Sequence, residues 1–258
     1  MSAYKHDTVV PFKDSEKTKK QQVAEMFDRI AFRYDFLNHF LSGGIDIYWR
    51  KRAIHELRSI NPEFILDVAT GTADMPVLMM RHLHPKKITG IDISEKMLEI
   101  GRKKIARLQP GDLIELQKGD SEAIDFKENS FDAITVAFGV RNFENLEKGL
   151  AEILRVLKTG GKLIVLEFSK PRNRAFKKLC DFYFRFITPG IGKLVSKNKN
   201  AYQYLDESVK AFPEREDFIL ILKKCGYINT YHKSLSLGIC AIYCAEKPSR
   251  NIVENVKI

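Results

Sequence analysis

The sequence predicts an α/β fold with a mostly parallel sheet of seven strands and an antiparallel C-terminal strand. Short apolar runs alternate with amphipathic helical segments from residue 64 to residue 168, which is typical of βαβ units. Several of these runs end in an acid or a glycine-containing turn, as ligand-binding parallel strands do. Two further apolar runs, separated by a polar turn, close the chain as an antiparallel pair would.

The composition is that of an ordinary soluble protein. The chain has 258 residues, 44% hydrophobic and 29% charged, enough to bury a sizeable core. No apolar run approaches the roughly 20 residues that span a bilayer, and the polar N-terminus lacks a signal-peptide core, so we expect a cytoplasmic protein. Four cysteines without a CxxC pair predict buried free thiols, with Cys240 and Cys244 on one face of a strand, rather than a metal site or disulfide.

Residues 1–60 are predicted to form an N-terminal helical cap. We expect residues 1–16 to be a poorly ordered tail. Apolar positions then recur at helical spacing from Lys17 to Phe40. Gly43-Gly44 breaks this pattern, and a second helix is expected over Ile45–Ile60.

Residues 61–169 are predicted to form the core of the sheet. The expected strands are Phe64–Ala69, Lys87–Ile91, Leu113–Gln117, Phe131–Ala137 and Lys162–Phe168. The expected helices are Asp74–His82, a helix N-capped by Ser94 that runs to about Leu108, and Leu146–Leu157. A turn at Lys158–Gly161 precedes the fifth strand.

Residues 170–213 read as a helical insertion. Between positions 170 and 200, nine lysines and arginines stand against one acid and are interleaved with aromatic residues. Such a segment predicts an acidic partner, namely nucleic acid, anionic lipid or a phosphorylated ligand, and a solvated basic surface is the alternative. A helix is expected at Leu205–Phe212, at the end of this insertion. Residues 214–247 are predicted to contain one helix and two strands, at Arg215–Cys225, Gly226–Tyr231 and Gly238–Ala245. Residues 248–258 are predicted to be a tail.

The turn after the first strand, Ala69–Asp74, contains a single glycine. A dinucleotide site would need G-x-G-x-x-G followed by an acid about 20 residues on, so this turn argues against an NAD oxidoreductase. An acid does close the second strand: Asp92, 20 residues after Thr72, can accept hydrogen bonds from both hydroxyls of a ribose. Asp120 and Ser121 follow the third strand, where a side chain could pair with an adenine edge.

These sites resemble those of the class I S-adenosylmethionine-dependent methyltransferases, which have a Rossmann-like fold. Longer motifs are similar to those of one family, the C-methyltransferases of menaquinone and ubiquinone biosynthesis. They are Arg33-Tyr34-Asp35, Gly44-Ile45-Asp46 with Trp49-Arg50, Phe138–Asn142, Leu166–Pro171 and Tyr202–Pro213. The resemblance covers roughly residues 20–247 and implies a single methyltransferase domain over residues 1–258.

The resemblance also implies which residues contact S-adenosyl-L-methionine (SAM). They are Gly71, Thr72, Asp92, Asp120, Ser121 and Ala137. Some family members carry a small hydroxyl residue at the position of Ala137, so only a main-chain contact is expected there. We interpret four histidines as surface or packing residues and expect no metal; they are His39, His55, His82 and His84.

Methylation at a ring carbon of a hydroquinone is faster from the phenolate, so the site needs a group that stabilises this anion. We expect Arg141 to stabilise the phenolate, a bound water to take the proton and Asn142 to orient the acceptor. A structural ion pair is the alternative role for Arg141. Tyr34 and Asp35 could close the pocket from the N-terminal helices, with helix packing and capping as the alternative.

The acceptor implied by the resemblance is a prenylated hydroquinone. Demethylmenaquinol is the expected substrate, and a polyprenyl methoxy-benzoquinol of ubiquinone biosynthesis is the alternative. The basic, aromatic segment would then contact anionic lipid, so we expect peripheral association with the inner face of the membrane and no nucleic-acid partner. An RNA methyltransferase and a non-enzymatic SAM-binding protein are alternatives from other classes, and a homo-oligomer is left open.

Overall fold

The computed structural model describes residues 4–109, 111–171 and 199–249, with side chains except at 33–41 and 199–202. The strands of this part of the chain are β1 (Phe64–Val68), β2 (Lys87–Asp92), β3 (Ile114–Lys118), β4 (Phe131–Ala137), β5 (Leu157–Phe168), β6 (Ile228–Leu235) and β7 (Cys240–Glu246). They form one sheet in the order β3-β2-β1-β4-β5-β7-β6. Strands β1 to β5 pair in parallel, and β7 runs antiparallel to both of its neighbours. The predicted fold class is confirmed.

The helices that flank the sheet agree with the predicted segments to within a few residues. Within the described residues they are α1 (Lys19–Ser42), α2 (Ile45–His55), α3 (Asp74–His82), α4 (Glu95–Leu108), α5 (Leu146–Val156), α6 (Lys199–Ala211) and α7 (Glu216–Lys224). The predicted cap of α4 is present, because the Ser94 side chain accepts a hydrogen bond from the Met97 amide. No helix among these residues is both long and apolar enough to cross a membrane.

Two element boundaries differ from the prediction. Helix α2 ends at His55, and a short 3₁₀ turn, Arg58–Ile60, replaces its expected last turn. Strand β5 begins at Leu157, before the expected turn, because Leu157 pairs with Phe131 ahead of a register shift in the β4–β5 ladder. Sequence periodicity cannot show this early pairing, which depends on the neighbouring strand.

The N-terminal segment is a correction to the prediction, because residues 4–16 are not a poorly ordered tail. Lys5–Thr8 forms a 3₁₀ turn whose His6 side chain is fully buried, with its ring edge-on to Phe212 at 5.9 Å. The Phe12 amide donates to Gln22 of α1 at 2.8 Å. One turn of 3₁₀ helix leaves no periodic pattern in a sequence, so composition alone misread this segment.

The two faces of the sheet are covered by separate hydrophobic cores. Leu66 belongs to the core that contains Phe218 of α7, whereas the next residue towards the N-terminus, Ile65, belongs to the core that contains Trp49 of α2. Side chains alternate in this way along a strand, so both faces of β1 are buried. The expected buried thiols are present at Cys240 and Cys244, Cys225 is half-buried, and Cys180 lies outside the described residues.

The order of the strands identifies where a ligand would bind. From β1 the chain continues outward through β2 to β3 and then returns to β4 on the other side of β1. In open α/β sheets, ligands bind at such a switch point, outside the carboxyl ends of the strands. The basic, aromatic segment predicted to contact lipid falls largely within 172–198, outside the described residues, and the predicted domain boundaries stay predictions.

Candidate active site

A cavity of about 670 Å³, including its open mouth, lies at the carboxyl ends of β1, β2 and β4. The residues predicted to bind SAM that line it are Gly71, Asp92, Asp120, Ser121 and Ala137. Five residues spread over 67 positions of sequence therefore converge on one cavity.

The turn after β1 bends sharply through left-handed residues, with φ of +55° at Ala69, +57° at Gly71 and +67° at Ala73. This path places the Gly71 amide 2.8 Å from a carboxylate oxygen of Asp92, to which it donates. The path also turns Thr72 away from the cavity: its side chain is buried, with Oγ1 3.4 Å from Nζ of Lys104 on α4. Thr72 is thus the one predicted SAM contact that does not line the cavity.

Asp92 ends β2 at the base of the cavity. One of its carboxylate oxygens accepts from the Gly71 amide and the other from the Ser94 amide, both at 2.8 Å. Burial raises the pKa of Asp92 to about 6, and the hydrogen bonds from these amides oppose that rise. The group is therefore a fixed carboxylate acceptor at neutral pH, as binding of a ribose diol requires.

The adenine side of the predicted site carries a cation that sequence reasoning missed. Lys20 of α1 lines the cavity, and its Nζ lies 2.5 Å from Asp120 and 3.5 Å from Glu122. Val23 and Phe27 line the same wall, one and two turns further along α1. The helix predicted as part of an N-terminal cap therefore covers the side of the cavity that contains Asp120 and Ser121.

A second polar contact fixes α1 in this position. The carboxylate of Asp28 accepts hydrogen bonds from the Ser94 hydroxyl at 2.6 Å and from the Lys96 amide at 3.2 Å. Both partners stand at the N-terminal end of α4, where a carboxylate also interacts favourably with the helix dipole. Helix α1 is consequently held against the residues that follow Asp92.

The turn after β4 packs tightly against the turn after β1. Phe138 adopts a φ of +58°, which is rare for an aromatic residue, and Gly139 follows it. A Cβ atom at Gly139 would lie 2.5 Å from the Cβ of Ala69, so only glycine allows this approach. The two turns that form the base of the cavity thus depend on each other for their positions.

Arg141 lies in this second turn but does not line the cavity. Its guanidinium is buried, with Nη1 2.7 Å from Glu167 and 2.6 Å from the Phe138 carbonyl oxygen, to both of which it donates. It also lies over the ring of Phe168 at 5.5 Å. The structural ion pair left open by the sequence is therefore present, with Glu167 as its acid.

Asn142, the neighbouring residue, does line the cavity. Its side-chain oxygen accepts a hydrogen bond from the hydroxyl of Tyr204 on α6 at 3.0 Å. Tyr204 is buried, and this burial raises the pKa of its phenol well above the usual value. Sequence reasoning noted Tyr204 only as part of a motif, and that motif was the signal that could have drawn attention to it.

Two of the predicted residues, Tyr34 and Asp35, lie on α1 with side chains outside the described part of the protein. Among the described residues, no group of three or more histidine, cysteine, aspartate or glutamate side chains could hold a metal ion. The described lining of the cavity consists of acids, amides and apolar side chains together with Ser121 and Lys20.

Comparison with known proteins identifies the family. A demethylmenaquinone methyltransferase of Bacteroides fragilis is 43% identical over 244 residues, which is 95% of this chain and 99% of that protein. A ubiquinone/menaquinone biosynthesis C-methyltransferase UbiE of Geotalea daltonii is 46% identical over 237 residues, 92% of this chain and 100% of that protein. A crystal structure of a SAM-dependent methyltransferase from Thermotoga maritima has a TM-score of 0.61 at 18% identity, covering 86% of this chain and 98% of its own, and shows the shared fold.

The family model gives the same result over nearly the whole chain. The ubiE/COQ5 methyltransferase family matches residues 15–247, a range that includes α1, the cavity and α6. The resemblance found in the sequence motifs is confirmed. This chain belongs to the ubiE/COQ5 methyltransferase family.

Proposed function

We propose that this protein transfers the methyl group of SAM to a ring carbon of demethylmenaquinol, which yields menaquinol, S-adenosylhomocysteine and a proton. The proposal that SAM is the methyl donor is supported by the convergence of Gly71, Asp92 and Asp120 on one cavity at the switch point of the sheet. The acceptor is supported by a relative in Bacteroides fragilis that is named demethylmenaquinone methyltransferase and aligns over 95% of this chain.

The cavity residues fit the parts of SAM. Asp92 offers a carboxylate to the ribose hydroxyls, and Asp120 with Ser121 borders the space proposed for adenine. The Gly71 turn and Ala137 provide main chain for the methionine part of the donor. When bound, SAM supplies an electrophilic methyl group on a sulfonium, and the protein aligns the acceptor with it. Such alignment contributes roughly 7–11 kcal/mol to lowering the barrier.

For the acceptor, we propose that Asn142 and not Arg141 contacts the reacting hydroquinone oxygen. Asn142 lines the cavity, whereas the positive charge of Arg141 is buried and compensated by Glu167 at 2.7 Å. An amide N–H directed at the oxygen stabilises the phenolate as it forms, and water takes the proton. Arg141 then supports the turn that carries Asn142 from behind.

The second candidate acceptor is the polyprenyl methoxy-benzoquinol of ubiquinone biosynthesis. The relative in Geotalea daltonii, 46% identical, is named for both quinone routes. An RNA methyltransferase is disfavoured, because the curated relatives that align over most of the chain are named for quinone methylation. A non-enzymatic SAM-binding protein is disfavoured on the same grounds.

One experiment separates these functions. The purified protein is incubated with methyl-labelled SAM and, in parallel, with demethylmenaquinol, the methoxy-benzoquinol or bulk RNA. We expect label in menaquinol, with the Asp92→Ala variant as a binding-deficient control. Label in RNA, or no label in either quinol, would contradict the proposal.

We also propose that residues 170–213 bring the protein to anionic lipid, since a prenylated acceptor resides in the membrane. The support is the sequence of this segment, in which aromatic residues alternate with nine lysines and arginines between 170 and 200. Each lysine or arginine near an anionic membrane surface contributes about 1 kcal/mol to the free energy of membrane binding. Co-sedimentation with vesicles should therefore depend on anionic lipid and weaken with salt. Binding that depends on neither would rule the contact out.

A further inference from the structure

The hydrogen bond between Tyr204 and Asn142 joins two parts of the protein that are distant in sequence. The Tyr204 hydroxyl, on α6, donates at 3.0 Å to the side-chain oxygen of Asn142, 62 residues earlier in the turn after β4. Asn142 is a cavity residue, and Tyr204 lies behind it with 3% of its surface exposed. Tyr204 therefore contacts a cavity side chain from outside the cavity.

The surroundings of the Asn142 amide fix which of its ends is the donor. The amide nitrogen lies 3.5 Å from the carbonyl oxygen of Phe138, an oxygen that also accepts from Arg141 at 2.6 Å. If the amide were rotated by 180°, its oxygen would face this carbonyl oxygen and repel it. The Tyr204 bond and the Phe138 carbonyl thus favour the same orientation.

In this orientation the amide nitrogen is left with donor capacity. An amide nitrogen carries two hydrogens, and the contact to Phe138 at 3.5 Å is at the limit for a hydrogen bond. At least one N–H of Asn142 is available to a ligand in the cavity. An oxyanion is the ligand that such a preorganised donor stabilises most.

Packing holds Tyr204 itself in place. It forms a small hydrophobic cluster with Val23 and Met26 of α1. The next residue on that helix to line the cavity, Phe27, packs against the same cluster. A residue that is fixed from one side and bonded to Asn142 on the other can orient the amide without touching the substrate.

We propose that Tyr204 is a positioning residue, whose hydroxyl holds the Asn142 amide with one N–H group towards the oxyanion of a hydroquinone in the cavity. This inference rests on the proposed function for the identity of the acceptor. It assigns to α6, which follows residues 172–198, a direct part in aligning the reaction centre. The hydroxyl acts only as a donor and does not exchange a proton with the substrate.

The test is a double-mutant cycle with a matched control. Asn142→Ala should lower kcat about a hundredfold, the usual loss for one oxyanion donor. Tyr204→Phe should lower kcat about tenfold, the upper range for one hydrogen bond, without changing SAM affinity. In the Asn142→Ala background, Tyr204→Phe should have no further effect.

Tyr227→Phe is the control, because Tyr227 is also buried and its hydroxyl donates one bond, at 2.9 Å, to the Leu150 carbonyl oxygen. Tyr227→Phe should lose about as much free energy of unfolding as Tyr204→Phe does, while its kcat stays at the wild-type value. Equal losses of kcat in the two Tyr→Phe variants would overturn the proposal. So would an undiminished tenfold effect of Tyr204→Phe in the Asn142→Ala background.

A second readout does not depend on turnover. With ¹⁵N-asparagine labelling, the side-chain amide signal of Asn142 is the one absent from Asn142→Ala. In Tyr204→Phe we expect this signal to broaden or to move towards the chemical shifts of an unconstrained asparagine side chain. In Tyr227→Phe we expect it to stay unchanged. An unaltered signal in Tyr204→Phe refutes the positioning role, whereas failure of the wild type to methylate demethylmenaquinol refutes only the proposed function.

Discussion

Substitution of Gly139 by alanine tests whether the two turns at the base of the cavity depend on each other. The new Cβ would lie 2.5 Å from the Cβ of Ala69 and 3.3 Å from Val136. Carbon atoms prefer about 3.5–4.0 Å, so the turns must move apart by about 1 Å. The φ of Gly139 is −111°, which alanine tolerates, so the effect isolates the steric clash. Overpacking of this kind costs about 1–3 kcal/mol.

The same geometry predicts a rescue. If Ala69 is also changed to glycine, the nearest atom of residue 69 to the new Cβ is its Cα at 3.9 Å, an ordinary contact. The φ of +55° at Ala69 is moreover a conformation that glycine adopts without strain. We therefore expect the free energy of unfolding of Ala69→Gly/Gly139→Ala to return to within about 1 kcal/mol of the wild-type value. The double substitution removes both the clash with the Cβ of residue 69 and the left-handed backbone strain at that residue.

The assay uses the only tryptophan of the chain, Trp49. Its ring is buried and lies 6.2 Å from the ring of Phe138, the residue before the substituted glycine. Its fluorescence therefore reports both urea unfolding and changes in the conformation of this turn. Calorimetry should show SAM affinity about tenfold lower in Gly139→Ala, equivalent to about 1.4 kcal/mol, and restored in the double variant.

A glycine outside the cavity provides the control. Gly160 has a φ of +74° and open space around its Cα, so Gly160→Ala should cost about 1–2 kcal/mol of stability through its left-handed backbone alone. Its SAM affinity should equal that of the wild type. If Gly139→Ala binds SAM with wild-type affinity, or if Ala69→Gly restores nothing, the proposed coupling of the two turns is wrong.

Three further predictions concern single features of the protein. SAM affinity measured by calorimetry should fall about tenfold per pH unit below the Asp92 pKa of about 6 and stay constant above it, because the protonated carboxyl group loses an acceptor. The Asp92→Asn variant should show no such pH dependence. Glu167→Ala should cost about 3–5 kcal/mol in urea unfolding because it leaves Arg141 buried and unpaired, against less than about 1 kcal/mol for Glu95→Ala, whose ion pair is exposed. Removal of residues 1–12 should lower the free energy of unfolding by about 3 kcal/mol through lost burial, whereas an unstructured tail would leave the melting temperature unchanged.

Local patterns were sufficient to predict most of the fold. The strands of the core have apolar runs of the expected length, and helix α4 begins at a serine cap that the structure contains. Apolar periodicity and capping are properties of neighbouring residues, so a single sequence expresses them directly. The positions of Asp92 and Asp120 follow for the same reason, because each comes at or just after the end of a predicted strand.

The contacts that complete the site could not be predicted in this way. Lys20 meets Asp120 across 100 residues of sequence, and Tyr204 meets Asn142 across 62. Such pairs depend on how helices pack on the finished sheet, and no local pattern encodes that packing. Thr72 differs in kind: left-handed backbone on both sides of it, at Gly71 and Ala73, decides which way its side chain faces. A motif identifies the turn but not the direction of each side chain within it.

The charges around the cavity predict how tightly the proposed donor binds relative to its product. Among the described residues that line the cavity, four are acids, Asp92, Asp120, Glu122 and Glu144, and Lys20 is the one lysine or arginine. The formal charge of these described lining residues is therefore negative, and two of the acids, Asp120 and Glu122, already share Lys20 at 2.5 and 3.5 Å. SAM carries the positive sulfonium, whereas S-adenosylhomocysteine has lost that charge together with the methyl group. If SAM occupies the cavity as proposed, we expect this charge difference to favour the donor over the product by on the order of 1 kcal/mol, the interaction of one unit of charge at several ångströms in a partly desolvated cavity.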